Sequence, residues 1–203
     1  MHKDPRSPHP AIGFRVKSGW ATAVLVAGPI ESPHVLDRRV IDLCDPAIPE
    51  SRQPYHARMG TLETDEIKVE RRRDIVVAAT RRSITELMRD YRKAGHRVGA
   101  VGLVVGSDID PARITNPHIR AHALEGRLFR TVLVEAMCSR RLPCSVIVER
   151  HVYTRAAEVL GRSEDDLRRS VAQLGRSLGG PWRSEEKVAS LAAWVAAARR
   201  AQP

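Results

Sequence analysis

The alternation of apolar and polar positions changes character partway along the chain, from short strand-like runs to long helical stripes. Residues 11–16 and 20–27 are apolar-rich runs joined by Lys17-Ser18-Gly19, the pattern of a β-hairpin. Gly28-Pro29 ends the second run, and residues 34–43 (H-V-L-D-R-R-V-I-D-L) read as a third antiparallel strand closed by Asp45-Pro46. From residue 47 to 64 proline, glycine and polar residues dominate. This is the one long irregular loop, and such loops inside compact domains are often functional.

Beyond it the period becomes helical. Thr64 or Asp65 is placed to cap a long helix running to about Ala94, with Ile67, Ile75, Ala78, Ala79, Ile84 and Leu87-Met88 as its apolar stripe and Gly95 as its stop. Residues 98–105 (V-G-A-V-G-L-V-V) form an uninterrupted small-apolar run, as a strand buried on both faces requires. A helix with Pro117 in its first turn is predicted to about Arg140, and residues 143–148 read as a second buried strand. Helices follow over 151–160, 164–178 and 184–199, with Gly161, Gly179-Gly180 and Pro181 as breakers. Ser184 is expected to cap the last of these, with Glu185 and Glu186 complementing its dipole.

The order is β-β-β, then α-β-α-β-α, then further helices. It predicts an α/β fold of ribonuclease-H-like type: three antiparallel strands followed by two parallel strands with crossover helices, plus extra C-terminal helices. A flavodoxin-like sheet would not open with consecutive hairpins. The 203 residues suit one domain over 11–200, preceded by an arm at 1–10 that lacks the apolar stretch of a signal peptide and reads as disordered. With aromatics at 4%, the core must be built from Val, Leu, Ile and Ala, and no apolar run is long enough to span a membrane. Cys44, Cys138 and Cys144 form no C-x-x-C pair and are odd in number, which fits a reducing cytoplasm; Cys138 and Cys144 are expected to be buried. A net charge of +10 leaves two readings open, a polyanion partner or a generally basic solvated surface.

Chemistry is concentrated in N-P-H-I-R-A-H-A-L-E-G-R-L-F-R, where His118, His122 and Glu125 share one helix face. The two histidines can share a metal, with Glu125 or Glu149 as a third ligand; one can act as a general base oriented by a carboxylate; or the three are polar members of a packed face continuing into Phe129, Val132 and Ala136. Ligands of open α/β sheets collect beyond the carboxyl ends of the strands. That edge should gather Arg15, Lys17 and Ser18 after the first strand, Ser107, Asp108 and Asp110 after the fourth, and Glu149, Arg150 and His151 after the fifth. Lys187 is a further anion-binding candidate. Tyr55-His56 in the long loop could fold over the site, although an exposed loop histidine is more often idle.

The stretch Gly13-Phe14-Arg15-Val16-Lys17-Ser18-Gly19-Trp20-Ala21 resembles the opening of RuvC-type Holliday-junction resolvases and their ribonuclease-H-like relatives. Those begin with a strand bearing Gly-hydrophobic-Asp and then Gly-Trp-Ala, and Glu185-Glu186-Lys187 is similar to the start of their acidic final helix. The resemblance implies two-metal nuclease chemistry, yet Arg15 stands where the first metal-binding Asp belongs, and residues 98–105 hold no acid. The chain also resembles a set of bacterial proteins sharing G-F-R-x-x-x-G-W-A and H-x-x-x-H-x-x-E-G-x-L-[FY]-R, a likeness that fixes no activity. The leading expectation is therefore a remodelled site of Arg15, His118, His122, Glu125 and Glu149, with no metal assigned and the cofactor unknown. It would bind an anionic ligand: a nucleic acid, a nucleotide or a phosphate-bearing small molecule. The alternatives are a non-catalytic nucleic-acid-binding or scaffold module and a metal-dependent hydrolase centred on His118 and His122.

Overall fold

Alternation along β1 (Ala11–Lys17) sends Ile12, Phe14 and Val16 to one face of a sheet and Ala11, Gly13 and Arg15 to the other. A two-residue turn, Ser18-Gly19, leads into β2 (Trp20–Ala27), which pairs antiparallel with β1 from Ala11–Val26 to Lys17–Trp20. β3 (His34–Asp42) extends the sheet on β2, with a bulge at Leu25/Val26. α1 (Glu66–Lys93) starts at Asp65, whose side chain accepts from the Lys68 amide. It carries the chain back to β4 (Ala100–Val105), parallel to β1. α2 (Pro117–Cys138), capped by Asn116 with Pro117 in its first turn, crosses to β5 (Cys144–Val148), parallel to β4. α3 (Val152–Leu160), α4 (Glu164–Leu174) and α5 (Ser184–Ala201) follow.

This computed structural model describes residues 9–57 and 60–201, the Ser177 side chain excepted, so most of the predicted arm at 1–10 lies outside the described residues. Its last residue does not hang free: the Pro10 carbonyl accepts from the Gly99 amide at 2.8 Å. Among the described residues the strands form one sheet in the order β3-β2-β1-β4-β5, the expected three antiparallel and two parallel strands. Ile12, Phe14, Val101 and Leu103 pack against Ile84 and Leu87 of α1 and Phe129 and Leu133 of α2.

α5 covers the opposite face, and the sequence lets it come unusually near. Gly13 and Gly102 are register partners at the sheet centre. A Cβ on Gly13 would stand 1.8 Å from the Ala189 carbonyl oxygen, and one on Gly102 2.2 Å from that of Ala192. The alanine-rich α5 therefore lies on bare backbone, and α3 and α4 pack outside it through Val152, Ala156, Leu167 and Val171.

Four expectations need correction. β5 is the edge strand, not a strand buried on both faces: it has one neighbour, and Val146 is 44% exposed. The helix expected over 164–178 is α-helical only to Leu174 and continues as a 3-10 helix over Gly175–Leu178: the Trp182 ring packs on Gly175 and its indole N–H donates at 2.7 Å to the Val171 carbonyl, the acceptor a continuing α-helix would offer Gly175. Ser184 is the first residue of α5, not its cap; its hydroxyl donates to Glu185, and Glu186 accepts from the Arg183 amide at 2.9 Å. Cys138 is exposed and Cys144 half-buried. Among the described residues, no helix is long and apolar enough to cross a membrane.

Candidate functional site

The spacing that aligns His118, His122 and Glu125 on α2 also decides how they differ in depth. Glu125 is completely buried, while His122 and His118, one and two turns nearer the helix start, are exposed. The lid over them comes from the long loop. Residues 55–57 lie antiparallel to residues 61–63, with the Ala57 amide donating to the Thr61 carbonyl at 2.8 Å and the Glu63 amide to the Tyr55 carbonyl at 2.9 Å. Arg72 on α1 holds these segments: its Nη1 donates to the Pro54 and His56 carbonyls at 3.3 and 3.2 Å and to the Glu63 carboxylate at 3.4 Å.

His56 is thereby laid onto the histidine face of α2 with its side chain only 6% exposed. Its Nδ1 lies 2.6 Å from Glu125 Oε1, and His122 Nδ1 lies 3.5 Å from Glu125 Oε2. The Gly60 carbonyl, which can only accept, takes the Nδ1–H of His118 at 2.6 Å. Gly60 has φ +75°, and a Cβ there would reach within 3.1 Å of His118 Nδ1. His118 Nε2 and His122 Nε2 are 3.2 Å apart, and one nitrogen from each of the three histidines lies within 4.8 Å of the others. Buried His56 Nε2 has no hydrogen-bond partner. Burial pushes the Glu125 carboxyl up to about 7 against the pull of His122. It pushes His56 down, with His118 adding to the effect.

Glu149 and Arg15 lie elsewhere. Arg15 is 3% exposed; its Nε donates to Glu149 Oε1 at 3.2 Å, its Nη2 to Glu149 Oε2, and its Nη1 to the Val16 carbonyl at 2.6 Å. The five residues grouped from the sequence thus form two clusters, the histidines with Glu125 and Arg15 with Glu149. A cavity of about 260 Å³ joins them at the carboxyl edge, lined by Arg15, Lys17, Ser18, Ser107 and His122 among others. Lys17 Nζ also lies 3.7 Å from Glu185. Arg150 does not line the cavity: its Nε donates to His151 Nε2 at 2.8 Å, and its Nη2 lies 4.0 Å from Asp108. Lys187 is half-buried in the first turn of α5 and is also off the cavity.

His56 is the residue whose position the spacing could not give. No periodicity links it to residues some 60 positions on, and its only signal was membership of the long loop.

No protein-family model and no curated protein matches the chain. Among solved structures, Thermus thermophilus RuvC in complex with a Holliday-junction substrate is similar at 13% identity and TM-score 0.57, over 95% of each chain. A second Thermus thermophilus RuvC structure is similar at 12% identity and TM-score 0.55, over 94% of each. At such identities the likeness establishes the fold alone, and that fold is the expected ribonuclease-H-like one.

Proposed function

We propose that the chain binds a phosphate-bearing ligand, a nucleic-acid strand, at the carboxyl edge of its sheet. The lining of the 260 Å³ cavity carries this reading: Arg15, Lys17, Ser18 and Ser107 contribute, and among the described residues no carboxylate does. Glu149 sits behind Arg15 and holds its planar fork, leaving two of the five guanidinium N–H donors for an anion. The position is where open α/β sheets collect ligands. The net charge of +10 favours a polyanion, and a similar fold is described in complex with a branched DNA. Two-metal nuclease chemistry is not part of the proposal, since it needs clustered carboxylates where this chain buries a guanidinium.

Fluorescence anisotropy with labelled single-stranded, duplex and four-way-junction DNA tests it, with inorganic phosphate and nucleotides as competitors. Binding should weaken linearly in log K against log salt, and Lys17→Ala should lower the slope by about 1. No strand binding, together with a nucleotide-dependent rise in melting temperature, would reassign the site to a small ligand. No binding of any of these at about 50 mM salt would overturn the proposal.

A further inference from the structure

We infer that His56, His118 and His122 form a site for one divalent transition-metal ion of the zinc type, oriented by Glu125 and the Gly60 carbonyl. Histidines that ligate metals almost always give their second ring nitrogen to a carboxylate or a carbonyl. Here His56 Nδ1 has Glu125 Oε1 at 2.6 Å, His118 Nδ1 has the Gly60 carbonyl at 2.6 Å, and His122 Nδ1 faces Glu125 Oε2 at 3.5 Å. With Nδ1 so occupied, His56 and His118 turn Nε2 to the space between the rings, where a metal would take the place of the His118–His122 hydrogen bond.

Two buried polar atoms of the cluster lack a partner there, His56 Nε2 and Glu125 Oε2. His56 Nε2 is buried and unbonded, which is costly for a polar atom in a nearly dry position. His118 Nε2 and His122 Nε2 stand 3.2 Å apart, close to the roughly 3.3 Å that separates two nitrogens of a tetrahedral zinc site. The widest pair, within 4.8 Å, closes to that separation by a shift on the order of 1 Å. Three imidazoles select zinc-like ions over magnesium or calcium, which prefer oxygen. Three protein ligands leave a fourth position open, and His122 also lines the cavity, so a water or a phosphate oxygen can complete the shell from that side.

The site does not depend on the nucleic-acid reading, so its test uses the metal alone. Tag-free full-length chain, stripped with chelator, is titrated with Zn²⁺ by calorimetry and with Co²⁺ by visible absorption. One equivalent should bind, and Co²⁺ should show the intense d–d bands of four-coordination. His118→Ala and His122→Ala, both at exposed positions, should weaken binding at least tenfold with unchanged circular dichroism. Glu125→Gln should weaken it roughly 10- to 100-fold, and His34→Ala, outside the cluster, should leave it intact. Absence of stoichiometric binding by the wild-type chain, or equal binding by the His118→Ala/His122→Ala double variant, would overturn the site.

Discussion

At the level of single residues, the site depends on what is packed beneath the two exposed histidines. Glu125 is fully buried; its Oε1 bonds His56, and its Oε2, without a hydrogen bond, lies 3.5 Å from His122. Glu125→Ala would strand His56 Nδ1 without a partner, so a loss of about 1–3 kcal/mol is expected in urea unfolding, with Glu125→Gln costing less. Gly60 is constrained twice, by φ +75° and by the approach of His118. Gly60→Ala should cost about 1–2 kcal/mol, a figure that rests on the left-handed backbone and is checked by the same measurement. Thiol chemistry gives an independent check on the far side of α2. Burial and neighbouring Cys138 push the Cys144 thiol up to about 12, so at pH 8 the reactive thiolate is scarce there. Iodoacetamide at that pH should therefore label exposed Cys138 well before Cys144, as read by peptide mass spectrometry; equal labelling would contradict the packing around β5. The face shared by His118, His122 and Glu125 was legible because helical spacing is local information. The third histidine was not, since a loop folding back across 69 positions to Glu125 leaves no period to read.

Secondary-structure elements repeat this division between local and distant causes. The strands and long helices could be read because their apolar periods and start signals, such as Asp65 and Pro117, act within a few residues. The end of α4 could not, because the Trp182 ring imposes it from beyond the next turn. Nor could the exposure of β5, which follows from its place at the sheet edge while its residues remain apolar. The closeness of α5 to the sheet makes Gly13 a sharp test. Gly13→Ala puts a methyl against the Ala189 carbonyl, and overpacking of that kind should cost about 1–3 kcal/mol and lower the melting temperature. The His56 turn is held differently, by side-chain bonds from Arg72 to its carbonyls. Arg72→Ala should raise amide exchange over residues 55–57 and 60–63 while leaving β1 and β4 protected, and unchanged exchange there would remove Arg72 from this role.

Over the whole molecule, the sheet order brings residues 15–18, 105–107 and 122–126 to one edge, with α5 behind one face and the His56 turn above the other. Of the residues expected at the carboxyl edge, Arg15, Lys17, Ser18 and Ser107 line the cavity, whereas Asp108, Asp110, Glu149, Arg150 and His151 do not. Neither the order of elements nor the carboxyl-edge rule could foretell that Arg15 and Glu149, 134 residues apart, would bond to each other instead of joining the histidines. The claim that this edge receives a phosphate-bearing strand is met most directly by hydrogen–deuterium exchange of the full chain with and without single-stranded DNA at low salt. Protection should appear over residues 15–18, 105–109 and 118–126. Protection confined to the separate cavity near His34 and Arg162, or no change anywhere at saturating DNA, would contradict it.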